Sequence, residues 1–427
     1  MLYETLTGDT ILTLETIITL ETIITLETIT TLETMDAFIE FHEIELPERL
    51  SRGDYALCAR EASRIGALAI RTPAGAYTYR SNGESIEVVA GDADARSVIG
   101  IDLDSFSGLL RDVDTPIAML YSSRVEAVRG NPMRFIRWEP ILRAMFHGRP
   151  LYDPSQLSLL NKSGDPLDAQ QKFTLEELLE TPDELAHFLK TAGYLLVGEV
   201  FSSEEVDELF AAAQRLEREA VEGDGSSWWG RDSSGEAILT RVLRGAEIPS
   251  LDSLHDDARI KALVSLAEIP AVANHRNELD GTTVLWKRPD IKEGLADLPW
   301  HRDCGLGGHA DNCPMFILTI CLNDGSAEAG QLRVLPGSHL ASFPFVETDD
   351  PEAPLGVAVQ ARKGDVSVHY SDVMHVSPPP TSMDGPFRVS ILLTYGPEKT
   401  LHHAGGRHYN DALLGADDGQ VKHLRDL

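Results

Sequence analysis

Trp300-His301-Arg302-Asp303 lies in the last third of a chain of 427 residues. In an extended segment residues i and i+2 point to the same side. His301 and Asp303 can therefore aim an imidazole and a carboxylate at one ion. Downstream stand Met374-His375-Val376-Ser377 and then Phe387-Arg388-Val389-Ser390. A second histidine from a neighbouring strand completes a two-His-one-carboxylate face. That face leaves three coordination positions open, the ligand pattern of non-haem Fe(II) sites. Two residues compete for the second histidine. His369 and His375 are six positions apart, so both cannot sit at the same strand end. His-x-Asp alone is common in surface loops, and its weight here comes from its neighbours.

Leu335-Pro336-Gly337-Ser338-His339 follows a Gly330-Gln331-Leu332 turn, and Gly364-Asp365 opens the segment that reaches His375. The text between reads as short strands: Thr282 to Lys287, Phe316 to Leu322, Leu332 to Leu335, Asp365 to His369 and Arg388 to Tyr395. A helix over Thr181 to Lys190, a strand over Gly193 to Val200 and a second helix precede them. Ser202 caps that second helix, with Glu205 three residues on as a capping box. Val206, Leu209, Phe210, Ala213 and Leu216 form its buried face. A Gly/Ser-rich loop is expected at 223–235. The pattern predicts an α+β chain whose C-terminal part is a jelly roll with flanking helices.

The ordered set of His-x-Asp, Gly-x-Leu with Pro-Gly-Ser-His, Gly-Asp with His, and Arg-x-Ser resembles the phytanoyl-CoA dioxygenase family, over residues 175–400. The resemblance implies a double-stranded β-helix core and an Fe(II)/2-oxoglutarate-dependent oxygenase using dioxygen. Carried over by position, His301, Asp303 and His375 match the catalytic metal triad. The spacing to Arg388 and the following Ser377 favour His375 over His369, which becomes a neighbour of the site or a core group. Arg388 matches the arginine that meets the distal carboxylate of 2-oxoglutarate, where a planar fork suits a bidentate contact. Ser377 matches a hydroxyl beside that carboxylate, Lys287 a second polar contact, and Thr319 a residue lining the cofactor side. The implied reaction hydroxylates a substrate and releases succinate and CO2, although desaturation, cyclisation or epimerisation use the same parts. Asp303 argues against halogenation, since a related halogenase has a small residue there. The family often has Asn after the ligand His, where this chain has Val376-Ser377-Pro378-Pro379-Pro380. His339 is read as structural. His309 faces either substrate or solvent, and Cys304 and Cys313 are read as packing thiols.

Composition narrows the alternatives. The chain is 42% hydrophobic and 25% charged, and its net charge of −31 repels nucleic acid and anionic membrane faces. Four cysteines without a C-x-x-C pair make neither a disulfide framework nor a zinc ribbon. No apolar run is long enough for a membrane span, and no basic residue precedes Arg49 to form a secretory n-region. A reducing cytoplasm is the expected compartment.

Residues 1–35 carry a hexad repeat (Thr13-Leu14-Glu15-Thr16-Ile17-Ile18 and its copies), which reads as a low-complexity leader. Translation from Met35 is expected to give a protein that folds, binds iron and turns over normally. Loss of solubility or activity on that truncation, measured side by side with the full chain, would give the hexads a structural role. Residues 36–150 read as a smaller α+β domain. Strands flank the Asn82-Gly83 turn, and a helix over Met133 to Phe146 carries Phe135, Ile136, Trp138, Ile141, Leu142, Met145 and Phe146. Gly91-Asp92-Ala93-Asp94-Ala95, the following helix and Val128-Arg129-Gly130-Asn131-Pro132 resemble the sterol-carrier-protein type 2 family. That resemblance implies a fold that holds a hydrophobic ligand or docks, and hence an apolar, lipid-like small-molecule substrate. Residues 151–172 read as a linker and 173–427 as the oxygenase domain. Two other functions fit parts of the text: a cupin-type metalloenzyme that needs no 2-oxoglutarate, and a non-catalytic lipid-binding protein.

Overall fold

The computed structural model describes residues 35–268, 270–273, 281–294, 297–303, 315–343, 346 and 353–397. The hexad leader, Cys304, His309 and Cys313 lie outside the described residues. Two compact units divide the chain: residues up to 107 with 125–135, and 108–124 with the chain from 136 onward.

The first unit is built on a five-stranded sheet. Its order is Ile86–Ala90, Gly75–Ser81, Leu68–Thr72, Ser97–Gly100 and Glu126–Arg129. The first three strands are antiparallel, and Leu68–Thr72 pairs in parallel with Ser97–Gly100. Phe38, His42, Tyr77, Tyr79 and Phe106 pack as one buried aromatic cluster. His42 is a core residue: its Nδ1–H donates to Phe38 O, its Nε2 accepts from Tyr79 Oη, and burial pulls its pKa down to about 4.

The second unit holds a ten-stranded sheet and a three-stranded one. The main path of the large sheet runs Ile291–Glu293, Ser227–Asp232, Ala237–Val242, Thr282–Trp286, Val389–Pro397, Phe316–Cys321, Val366–Tyr370, Tyr194–Gly198 and Phe173–Thr174. One face is aliphatic and packs under helices, with Val284, Trp286, Leu318, Ile320, Val366, Val368, Ile391 and Leu393 all in the core. The opposite face is mixed: Thr283, Thr319, Ser367, His369 and Ser390 are buried there with Ile317 and Cys321. Phe316 anchors the aliphatic layer, stacked on Tyr395 at 5.6 Å. Phe316→Ala is expected to cost ~3–5 kcal/mol, read as a lowered midpoint in urea at unchanged slope.

Helix Ser203–Glu219 starts at Ser202 with the expected reciprocal capping box to Glu205. The Gly/Ser-rich stretch behaves differently from expectation. Ser227–Asp232 and Ala237–Val242 form a hairpin, because Trp228 buries its ring there and Arg241 lies over it. Residues 151–172, read as a linker, pack within the second unit. Tyr152 N–H donates to Ser342 O, Tyr152 Oη donates to Pro336 O, and Lys172 Nζ reaches Asp365. The helix Met133–His147 is buried nearly all round: Phe135, Ile136, Trp138, Ile141, Leu142, Met145 and Phe146 are each at most 3% exposed. They are core side chains, and the helix offers no open apolar face.

Candidate active site

His301 and His375 are brought together by main-chain pairing. Each donates its N–H to the other's carbonyl at 3.0 Å. This bridge continues the small sheet of Arg333–Val334, Val357–Ala358 and His375–Val376. Asp303 follows two residues after His301 and returns to the same side, as the alternation requires. Its carboxylate lies 3.5 Å from His301 Nε2 and 3.7 Å from His375 Nε2. One donor atom from each of the three residues falls within 4.8 Å of the other two. Ligand bonds of about 2.0–2.2 Å put cis donors about 3 Å apart, so small side-chain rotations close the three on one ion.

The tautomers suit a metal. His301 Nδ1–H donates to Pro299 O at 2.7 Å, and His375 Nδ1–H donates to Val373 O at 3.0 Å. A carbonyl only accepts, so each Nδ1 carries the proton and each Nε2 presents a lone pair toward Asp303. Burial, helped by the charge of His301, lowers the His375 pKa to about 3, so the ring stays neutral and able to ligate. Burial alone would raise the Asp303 pKa. The positive charge that His375, with His301 and His369, would carry if protonated acts the other way and lowers it.

His369 is closer to this centre than its sequence position suggests. Its Nε2 lies 3.6 Å from Asp303 Oδ2, and its ring centroid is 4.6 Å from that of His375. Neither ring nitrogen has a hydrogen-bond partner. It sits on Val366–Tyr370, on the polar face with Ser367 and Thr319.

A second polar corner lies around Ser377, two residues past His375. Arg388 Nη2 donates to Ser377 Oγ at 2.7 Å, and Ser377 Oγ donates to Gly330 O at 2.9 Å. Lys287 Nζ donates to Ser377 O at 2.6 Å and pairs with Asp297. Burial draws the Lys287 pKa down to about 8, against the pull of Asp297, and lowers that of Arg388. Gly330 is required where it stands. Its φ is +75°, and an added Cβ would lie 2.2 Å from Pro378 O. Asn323 brackets Arg388 by accepting from Val389 N–H and donating to Phe387 O. Arg388 has no carboxylate partner among the described residues, its Nε is unpaired, and so is Ser390 Oγ on the same strand face. Thr319 shares that face by register, and the structure gives its hydroxyl no further role.

The Pro336-Gly337-Ser338-His339 and Gly364-Asp365 turns do structural work. His339 Nε2–H donates to Lys190 O, and its ring stacks on Tyr370. Asp365 accepts from Glu199 N–H, Arg362 N–H and Lys172. Cys58 and Cys321 are free, buried thiols, each pushed up to about 12 by burial.

A two-imidazole, one-carboxylate cluster is a donor set that could hold a divalent metal ion, and a buried arginine without a carboxylate partner among the described residues is what an anionic co-substrate would need. Residues 189–389 match the family model of phytanoyl-CoA dioxygenase (PhyH). That stretch is thus similar to a family of non-haem iron enzymes that use 2-oxoglutarate and dioxygen. No curated protein sequence matches the chain. Among solved structures, the chain is similar to the non-heme alpha ketoglutarate dependent carbocyclase SnoK from nogalamycin biosynthesis. The identity is 26%, covering 51% of this chain and 85% of that one, with a TM-score of 0.41. HygX from Streptomyces hygroscopicus, solved with nickel and 2-oxoglutarate, is 20% identical over 51% of this chain and 87% of that one, at a TM-score of 0.38. EvdMO1 is 23% identical over 50% of this chain, with a TM-score of 0.40, and the match spans 49% of that longer protein.

Sequence reading missed Glu139, Asp372, Asp297 and Asn323. One signal was present: Glu139 and Arg143 stand among the apolar residues Trp138, Ile141, Leu142 and Met145 of the helix, and buried charges need partners.

Proposed function

We propose that His301, Asp303 and His375 hold Fe(II), and that Arg388 and Ser377 bind the far carboxylate of 2-oxoglutarate. On this reading the two sheets of the second unit form a double-stranded β-helix, and the polar face between them is the reaction chamber. The observation that carries the proposal is Arg388. A buried guanidinium without a carboxylate is costly, and a dicarboxylate co-substrate supplies the missing charge. Lys287, already paired with Asp297, steadies the carbonyl of Ser377 rather than acting as a free cation. Thr319 lines the chamber on the same face as Arg388. Iron and 2-oxoglutarate, when bound, supply an oxidant from dioxygen able to break a C–H bond. In the balanced reaction, substrate, O2 and 2-oxoglutarate give hydroxylated substrate, succinate and CO2.

Anaerobic addition of 2-oxoglutarate to the Fe(II) protein should produce a weak visible charge-transfer band. Oxygen should then consume 2-oxoglutarate and release succinate one for one with CO2. Iron binding without the band would favour the cupin-type metalloenzyme that needs no 2-oxoglutarate.

The proposed substrate is an apolar small molecule in the cytoplasm, and the first unit, with its helix-covered five-stranded sheet, is proposed as a sterol-carrier-like module. Support for the module is its α+β architecture with a buried aromatic core. No described helix is long and apolar enough to cross a membrane.

A further inference from the structure

Arg302, the middle residue of His-x-Asp, points away from the metal face and into a buried charge network. Its Nη2 donates to Glu139 Oε1 at 2.7 Å and its Nη1 to Asp372 Oδ1 at 3.2 Å. Asp372 also accepts from Arg149 at 2.7 Å. Beside them Arg143 makes a bidentate pair with Asp112, at 2.9 and 2.6 Å. Glu139, Arg143, Arg302, Asp372 and Asp112 are all buried, and all belong to the second unit. Three cations match three carboxylates, so the cluster is neutral and each member is held by its partners.

The geometry points to Glu139, Arg302 and Asp372 as positioning residues for the metal site. In extended backbone, fixing residue 302 on one side fixes 301 and 303 on the other. Asp372 precedes His375 by three residues. The Arg302–Asp372 pair thus ties the two ligand-bearing segments together at the side-chain level, alongside the His301–His375 main-chain bridge. Glu139 anchors that tie to the helix Met133–His147, 163 residues earlier in the chain. This helix lies outside residues 189–389, the stretch matched by the family. The tie that orients His301 and Asp303 therefore draws on a helix outside the matched stretch. Groups that orient metal ligands govern affinity and geometry without touching the ion.

This inference rests on the proposed iron site, and one set of titrations separates the two. Co(II) is added to the full-length protein, to Glu139→Gln and to His375→Ala, following the visible bands that report ligand geometry and the melting temperature of each apoprotein. Glu139→Gln keeps shape and removes charge. Its Co(II) dissociation constant should rise by ~10–100-fold, with altered bands. Wild-type affinity and wild-type bands in Glu139→Gln, at whatever melting temperature, would overturn the inference and reduce the network to a structural one. If Glu139→Gln is insoluble, the double variant Glu139→Gln/Arg302→Gln removes both charges and is read by the same two criteria. Wild-type protein that binds Co(II) no better than His375→Ala would instead refute the metal site itself.

Discussion

His375→Ala is expected to leave a folded protein that holds almost no iron and turns over no substrate. One of three ligands is lost, so the loss in affinity should exceed the ~10–100-fold that even an outer hydrogen-bond partner is worth. The same should hold for His301→Ala and Asp303→Ala. His369→Ala is the informative comparison. Its imidazole lies 3.6 Å from Asp303 and could reach an ion in the same chamber. Yet its Nδ1 lacks the carbonyl partner that pins His301 and His375. It should therefore retain iron, measured by metal analysis after desalting. Full turnover in His375→Ala together with an inactive, iron-free His369→Ala would transfer the ligand role to His369.

Arg388→Ala should weaken 2-oxoglutarate binding far more than iron binding. Truncating one member of a buried charge pair costs about 2–5 kcal/mol, which corresponds to roughly 30- to several-thousand-fold in affinity. Arg388 is 7% exposed and bonded on one side to Ser377, so water cannot replace the lost contact. Calorimetric titration of 2-oxoglutarate into the Co(II)-loaded variant measures this directly. Unchanged affinity would remove the reason for assigning a dicarboxylate to this pocket.

Much of the site was written locally. His-x-Asp declares its own geometry because strand alternation puts two side chains on one side. Ser202 and Glu205 declare a helix start because a capping box spans only four residues. Short runs rich in apolar residues also identified Phe316–Cys321 and Val366–Tyr370 within a residue or two, and both strands are buried at every position. The resemblance to phytanoyl-CoA dioxygenases supplied the rest of the triad and Arg388, through spacing alone.

What only the tertiary structure decided is which distant charges meet. Glu139 and Arg302 are 163 positions apart, and Arg302 and Asp372 are 70; no periodicity in the chain links them. The apolar residues of the helix Met133–His147 are buried core side chains, and Glu139 on the same helix is turned inward to a partner. Residues 223–235 looked like loop because their glycines and serines favour turns, yet Ser227–Asp232 within them is a strand in which Trp228 is buried. Local sequence determined the elements and placed His301 and Asp303 on one side, because backbone periodicity acts over a few residues. The company those side chains keep depended on desolvation: a charge removed from water must find its opposite, wherever in the chain that opposite lies.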